Sequence, residues 1–272
     1  HVRSRRQRQM CIRDRVYGEP VALSNPVDDQ YKFQRTYGSD NLPAKMYSPV
    51  TGFFSITSGA TGLERTEGSL LAGTDDKLFY DRVSGWLTGQ EPTGAAVELT
   101  LNPKAQRAAY EALDGQKGAA VAMDPKTGEV LAMVSTPGFD PNDMATHNRK
   151  DAEAAYKSAL EDPDNPLYNR AIGGNLYPPG SVFKLVTAAA AIESGDYDED
   201  TEIDAPNALK LPQTTHTIKN AGGSTCADGK KATLKHSIMK SCNTPIAKLG
   251  MDLGADAMNK QAEKFGFGDN FT

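Results

Sequence analysis

Two side chains with complementary chemistry lie three residues apart in the sequence. Ser181 and Lys184 follow a Pro-Pro-Gly turn and open an apolar run that ends at Gly195. This pattern predicts a tight turn leading into a buried helix, and residues at i and i+3 share one helix face. A serine hydroxyl becomes nucleophilic when a nearby base takes its proton, and burial lowers the pKa of a lysine toward that role. The spacing therefore predicts a Ser-Lys acyl-transfer site, with helix N-terminal amides favouring developing negative charge.

The Ser-x-x-Lys pattern alone is weak evidence, because a chain of this composition contains about one match by chance. A second match does occur, at Ser237 and Lys240. It lacks the preceding Pro-Pro-Gly turn, and we interpret it as ordinary helix surface. The match at Ser181 therefore needs support from a second motif.

Sixty residues after Ser181 comes a Ser-x-Asn motif, formed by Ser241 and Asn243. It follows a helical pattern over residues 233–240, which predicts a corner between two helices. Such a corner can aim a hydroxyl that relays a proton and an amide that holds a substrate carbonyl into one cleft. On its own the motif indicates a helix cap. After a turn-borne Ser-x-x-Lys it indicates an active site.

The elements around these motifs follow from turn residues and hydrophobic alternation. Two strand-like runs over residues 118–124 and 129–135 are joined by a short turn, which predicts a β-hairpin. An alternating strand over 96–101 precedes a helix that Asn102 caps. A further helix is predicted over 151–160.

The front of the chain has a different composition. Residues 16–92 are rich in Gly, Ser, Thr, Pro and Tyr and alternate only in short pieces, which predicts a smaller mixed accessory domain. Residues 88–94 are punctuated by Gly and Pro and form the best linker candidate. A second domain is therefore predicted over 93–272.

Composition places the chain among ordinary globular proteins. Of its 272 residues, 38% are hydrophobic and 24% charged, which excludes the disordered, collagen-like and disulfide-scaffold classes. No stretch of the sequence approaches the roughly 18 apolar residues of a membrane span. The four histidines are scattered singly and no Cys-x-x-Cys occurs, so we predict no metal site.

Basic residues concentrate at the start of a chain whose net charge is -5. Six arginines fall within the first 15 residues. The segment lacks the apolar core of a signal peptide and the aromatic residues that stack on bases. It is similar to a translated sequencing adapter, so we interpret residues 1–15 as a non-native basic leader. No nucleic-acid partner is expected.

Together, residues 177–184, the motif at 241–243 and the hairpin over 119–135 resemble the transpeptidase domain of penicillin-binding proteins. The front part resembles the actinobacterial class B type called penicillin-binding protein A. Three front segments carry that likeness: residues 34–37, 52–54 and 59–64. The resemblance extends from about Val16 to Thr272. It implies an α+β type of α/β fold, the penicillin-recognising serine transpeptidase fold, with a dimerisation-type domain over 16–92 and a transpeptidase domain over 93–272.

The resemblance also implies an activity and a role for each motif residue. The activity is that of a peptidoglycan D,D-transpeptidase, which β-lactams acylate. Ser181 attacks the D-Ala-D-Ala carbonyl, and its backbone amide supplies half of the oxyanion hole. Lys184 is the base, Ser241 passes a proton to the leaving D-Ala, and Asn243 orients the stem peptide. No metal or organic cofactor is implied.

The implied partners are peptidoglycan stem peptides, β-lactam antibiotics and proteins of cell division or cell-wall synthesis. The implied location is the extracytoplasmic face of the cell membrane, with a single-pass anchor in the full-length protein. Outside the cytoplasm, a disulfide between Cys226 and Cys242 becomes a hypothesis.

Two features depart from the family pattern. Family members carry a Lys-Thr/Ser-Gly motif on an edge strand after Ser-x-Asn, and this sequence ends at Thr272 before one. The Lys-Thr-Gly at residues 126–128 precedes Ser181 and lies in the predicted hairpin turn, so we reject it as that motif. No membrane anchor precedes the front domain. A gene fragment cut at both ends explains both features, and we expect such a fragment to be acylated slowly or not at all.

Two alternative functions remain open from the sequence. A serine β-lactamase or a β-lactam sensor shares these motifs, although a lactamase is normally one compact domain. A non-catalytic binding module of the cell-division machinery could keep the fold without the activity. Rapid turnover of a chromogenic lactam would favour the first, and full cellular function of a Ser181→Ala variant would favour the second.

Overall fold

The computed structural model describes residues 13–71, 96–113, 115–173 and 177–269. The chain divides into two compact units, His1–Leu176 and Tyr177–Thr272. Both units mix helices and strands, as the sequence predicts. The linker expected over 88–94 lies outside the described residues.

The first unit contains eight described strands, of which four form one sheet in the order β3-β2-β1-β6. Strand β1 pairs antiparallel with β2 and parallel with β6, where Asp14 lies opposite Val97. The hairpin predicted over 118–135 is confirmed as β7 paired with β8. The strands are β1 (Arg13–Val16), β2 (Glu19–Pro26), β3 (Phe33–Tyr37), β4 (Phe54–Ser55), β5 (Gly59–Ala60), β6 (Val97–Leu99), β7 (Gly118–Met123) and β8 (Val130–Thr136).

Strand β1 corrects the boundary at residue 15. We expected residues 1–15 to be a leader outside the fold, but residues 13–15 belong to the sheet. Asp14 is fully buried there, with its carboxylate 2.5 Å from Arg35 Nη2. The arginine-rich composition of the segment hid this strand, because one buried acid among several basic residues gives no hydrophobic alternation.

A buried polar cluster joins residues of the three front segments. The Arg35 Nε donates to Glu64 Oε1 at 2.6 Å, and the Tyr37 hydroxyl donates to the same oxygen at 3.0 Å. The Tyr37 oxygen also accepts from the Phe54 backbone amide at 2.8 Å. Burial opposes the charge of Arg35, but Glu64 and Asp14 outweigh it and raise the pKa of the guanidinium. Burial, reinforced by Glu64, raises the pKa of Tyr37 well above its ordinary value.

The hairpin packs into the core of the first unit. That core contains Tyr47 and Leu101, and Met133 of β8 packs against it. The fully buried Gln106 side chain donates to the carbonyls of Met46 and Met133 and accepts from the Met133 amide. A helix and the hairpin are thus joined by one amide. For this reason the compact unit extends past the boundary that we predict at residue 93.

Six described helices belong to the first unit. Asn102 caps α4 as predicted, because its Oδ1 accepts from the amides of Lys104 and Ala105. The helix predicted over 151–160 is observed with slightly wider bounds. The helices are α1 (Ala44–Thr51), α2 (Gly62–Thr66), α3 (Gly68–Leu71), α4 (Pro103–Ala112), α5 (Pro141–Ala145) and α6 (Arg149–Glu161).

The second unit is built around helix α7, which spans Phe183–Ser194. Ala191 of this helix is fully buried against a core that includes Ile246 and Leu249. The prediction of a wholly buried helix is wrong on one side, because Leu185 and Ile192 are more than half exposed. The helices are α7 (Phe183–Ser194), α8 (Leu234–Met239), α9 (Asn243–Leu253) and α10 (Ala255–Lys264); the strands are β9 (Glu202–Asp204), β10 (Ala208–Lys210), β11 (Thr217–Lys219) and β12 (Lys231–Thr233).

Candidate active site

The Pro-Pro-Gly turn presents Ser181 at the surface. Gly180 has φ of +57°, a left-handed conformation that favours glycine, and it opens a 3-10 turn over Gly180–Val182. Ser181 lies in this turn, immediately before α7, and is exposed. Ser181 therefore lies in the turn that precedes the regular helix, whereas the sequence predicts it within the first turn of that helix. Among the described residues, no hydrogen bond of the Ser181 hydroxyl is observed.

Lys184 lies in the first turn of α7 and makes three hydrogen bonds. Its Nζ lies 2.6 Å from the Ser241 carbonyl oxygen, 3.0 Å from Ser241 Oγ and 2.6 Å from Asn243 Oδ1. The structure thus brings both predicted motifs together through this amine. Sequence spacing predicts a contact of Lys184 with Ser181, whereas the bonds observed connect Lys184 to the second motif.

The backbone of Ser241 makes two of these bonds possible. Its φ of +53° is left-handed, which is uncommon for a residue other than glycine and costs about 1–2 kcal/mol. Helix α8 ends just before it, and the Ser241 amide donates to the Ile238 carbonyl at 3.0 Å. The unusual conformation turns both oxygens of Ser241 toward Lys184. Strain at this point is therefore coupled to the geometry of the site.

Asn243 is fixed by contacts on both ends of its amide. Its Nδ2 donates to the Lys219 carbonyl at 2.9 Å, which leaves Oδ1 to face Lys184. Asn243 is the first residue of α9, so the predicted corner between two helices is confirmed. Its backbone amide donates to Asn220 Oδ1 at 2.8 Å. No local pattern in the sequence indicates Asn220, because this contact joins residues far apart in the chain.

The lysine has the chemical character that a base needs. Burial lowers the pKa of the Lys184 ammonium, so its neutral amine forms more readily than that of an exposed lysine. A neutral amine has two N–H donors and one lone pair. The carbonyl oxygens of Ser241 and Asn243 can accept both donors, which leaves the lone pair for a hydroxyl proton.

A cavity of about 330 Å³ opens beside the lysine. Lys184 and Asn243 line it together with Gly180, and Ile218 and Ile246 supply an apolar wall. Polar groups on one side and apolar surface on the other are typical of small-molecule and peptide sites. The Lys184 amine is therefore next to a space that a small molecule or a peptide end could enter.

The two cysteines meet at the middle of the second motif. Cys226 and Cys242 are joined in a disulfide, with Cα atoms 6.0 Å apart. Cys242 lies between Ser241 and Asn243 and is buried, as is Cys226. The bridge therefore attaches the Ser-x-Asn segment to the loop that precedes β12.

The two rejected motif matches lie elsewhere. Ser237 is fully buried and its Oγ donates to the Thr233 carbonyl at 2.8 Å, so the interpretation as helix surface is wrong for this residue. It is nevertheless unable to act as an exposed nucleophile. Residues 126–128 form the turn between β7 and β8, where the Lys126 amide donates to Asp124 Oδ1.

Neither a metal-binding cluster nor a membrane-spanning helix is found among the described residues. No cluster of His, Cys, Asp and Glu side chains at these positions has the composition to hold a metal ion. None of the helices at these positions combines the length and the apolar composition of a membrane span.

The chain belongs to the penicillin-binding protein transpeptidase family. The family model of the penicillin-binding protein transpeptidase domain matches residues 118–271, and that of the penicillin-binding protein A dimerisation domain matches residues 15–97. The recognition of this family and of its fold from the sequence is confirmed.

Individual relatives give the same assignment. The chain is 40% identical over 254 residues to the peptidoglycan D,D-transpeptidase PbpA of Mycolicibacterium smegmatis, covering 92% of this chain and 50% of the relative. The structure is similar to the ceftriaxone acyl-enzyme complex of penicillin-binding protein A from M. tuberculosis, with a TM-score of 0.88 and 37% identity over 97% of this chain and 59% of that chain. The penicillin G acyl-enzyme complex of the same protein gives a TM-score of 0.86 and 38% identity, covering 95% and 59%. The chain spans about half the length of the curated relatives that it matches.

Proposed function

We propose that the chain is the part of a peptidoglycan D,D-transpeptidase that carries the serine nucleophile, and that β-lactams acylate it at Ser181. The observation that carries the proposal is that the Lys184 amine is hydrogen-bonded to Ser241 and Asn243, beside a turn that exposes Ser181. The relatives named above are called peptidoglycan D,D-transpeptidases or are described as β-lactam acyl-enzyme complexes. Both supports point to acyl transfer through a serine ester.

The proposed reaction begins with attack on the donor peptide. Lys184 takes the hydroxyl proton as Ser181 Oγ bonds to the D-Ala-D-Ala carbonyl carbon. The tetrahedral oxyanion accepts from the Ser181 backbone amide. The C–N bond then breaks, and the proton passes from Lys184 through Ser241 Oγ, 3.0 Å away, to the departing D-Ala amine. Asn243 holds the stem peptide through its side-chain amide.

The acyl ester on Ser181 is then transferred to a second peptide. An amine of a neighbouring stem peptide attacks the ester carbonyl, the ester C–O bond breaks, and the proton that this amine loses passes to the Ser181 oxygen. The product is a new amide cross-link. When the acyl donor is a β-lactam, ring opening keeps the leaving amine attached to the acyl group, so the ester persists.

We propose the domain roles and location on the same basis. Residues 16–92 act as a dimerisation-type domain and residues 93–272 as the transpeptidase domain, in line with the two family models. The protein works at the extracytoplasmic face of the membrane, where its disulfide is stable and its peptidoglycan substrate is found. Cell-wall synthesis or division proteins are its proposed partners.

Intact-mass analysis after prolonged incubation with excess benzylpenicillin tests the proposal. We expect one adduct, formed slowly, located on Ser181 and absent from a Ser181→Ala variant. A Ser237→Ala variant, which alters the rejected motif match, is the matched control and should keep the adduct. Absence of any adduct from the wild-type chain would overturn the proposal for this chain and favour a binding module. Rapid release of hydrolysed lactam would favour a β-lactamase.

A further inference from the structure

Helix α9 carries half of the Ser-x-Asn motif, yet its own N-cap residue does not cap it. Cys242 occupies that position and makes no side-chain capping hydrogen bond. The first amides of a helix have no partner within the helix and need one elsewhere. In α9, these amides belong to Asn243 and Thr244.

Asn220 supplies the missing cap from another part of the chain. Its Oδ1 accepts from the Asn243 amide at 2.8 Å and from the Thr244 amide at 3.1 Å. Its Nδ2 donates to the Ser224 carbonyl at 3.1 Å, so both ends of the side chain are held. Asn220 is about 5% exposed, and water does not readily replace it. The contact therefore fixes where α9 begins.

The residue next to Asn220 fixes the side chain of Asn243. The Lys219 carbonyl accepts from Asn243 Nδ2 at 2.9 Å. Lys219, the last residue of β11, and Asn220 after it thus hold the side-chain amide and the backbone amide of Asn243. The remaining atom of that amide, Oδ1, is then directed at Lys184 Nζ, 2.6 Å away.

We propose that Asn220 is a positioning residue for acyl transfer: it sets the start of α9 so that Asn243 Oδ1 meets the Lys184 amine. This inference rests on the proposed function. Lys184 hydrogen-bonds to Ser241 and Asn243 and not to Asn220, so Asn220 acts through the start of α9. The disulfide holds the same segment on its other side, because Cys242 directly precedes Asn243.

The test compares two variants of Asn220 with a matched cap variant. Asn220→Ala removes the acceptor, whereas Asn220→Asp keeps an acceptor for both amides, replaces the donor to Ser224 with an oxygen and adds a negative charge. Thr233→Ala is the control, because Thr233 caps α8 through the His236 amide in the same unit and touches none of the site residues. Thermal unfolding of each variant measures the general cost of losing a cap.

Two measurements on the whole chain decide the outcome. We expect the acylation rate constant for benzylpenicillin to fall at least tenfold in Asn220→Ala, to recover to within about threefold in Asn220→Asp, and to stay near wild type in Thr233→Ala. By NMR, the Asn243 side-chain amide signals should shift, and the Asn243 and Thr244 backbone amides should exchange faster, only in Asn220→Ala.

Each failure has its own meaning. If Asn220→Ala keeps the wild-type NMR signals and exchange rates, or loses no more acylation than Thr233→Ala, Asn220 is not a positioning residue. If the wild-type chain forms no adduct, the proposed function fails. The NMR comparison then still decides whether Asn220 holds Asn243.

Discussion

Breaking the Cys226–Cys242 bridge should cost about 3 kcal/mol of unfolding free energy. The two cysteines are 16 residues apart in sequence. Closing a loop of that size removes about 10 cal/mol/K from the entropy of the unfolded chain, which is about 3 kcal/mol at room temperature. Packing of the bridge in the folded protein changes this free energy little, because the bridge lies in a cluster with the small side chains of Ala205 and Ala232.

Urea unfolding of the oxidised and the reduced protein measures this cost. Circular dichroism should report a lower midpoint after reduction, and a Cys226→Ser, Cys242→Ser double variant should match the reduced protein whether or not reductant is present. Alkylation of denatured, non-reduced protein followed by mass analysis supplies the control on the bridge itself. The reasoning is refuted if both thiols react, or if reduction changes the unfolding free energy by less than about 1 kcal/mol.

Four further predictions test the site and the first unit. Lys184→Ala should slow acylation by about 10²–10⁴-fold, as expected for loss of a general base, whereas Lys240→Ala in the rejected motif should not. Because burial lowers the pKa of Lys184, the wild-type acylation rate should rise with pH along a limb centred below about 10.4, the ordinary lysine value, and stopped-flow rates across pH check this. Tyr47→Phe should raise the unfolding free energy by about 1 kcal/mol in urea titrations, because the Tyr47 hydroxyl is buried without a partner among the described residues. Arg35→Met should lower it by about 3–5 kcal/mol, since its two buried carboxylate partners lose their cation.

Local chemistry made much of the fold predictable. Asn102 followed by proline marked the start of α4, and Gly195, at φ of +82°, marked the end of α7. The hairpin followed from alternation around a Pro and Gly turn. Each of these signals depends on residues close together in the sequence, and that is the range over which propensity and patterning act.

Long-range contacts were beyond the sequence. Asp14 in β1 is buried with Arg35 of β3 as its hydrogen-bond donor, and Asn220 holds the first amide of α9. The same limit applies within the site. Spacing paired Lys184 with Ser181, but the left-handed backbone of Ser241 brings two oxygens to Lys184 that no motif spacing reveals. The sequence indicates which side chains belong to the site, but tertiary structure determines which groups they contact.

The parallel pairing of β1 with β6 has a consequence for synthesis of the chain. A ribosome makes β1, β2 and β3 early, but β6 begins only at Val97. Until then β1 has an open edge, and the emerging chain holds three of four strands with unpaired amides and carbonyls on one side. Closing so large a loop is slow compared with forming a hairpin. The sheet is therefore completed only after β6 has been made, and pausing before residue 97 would prolong the period in which β1 can pair with another chain.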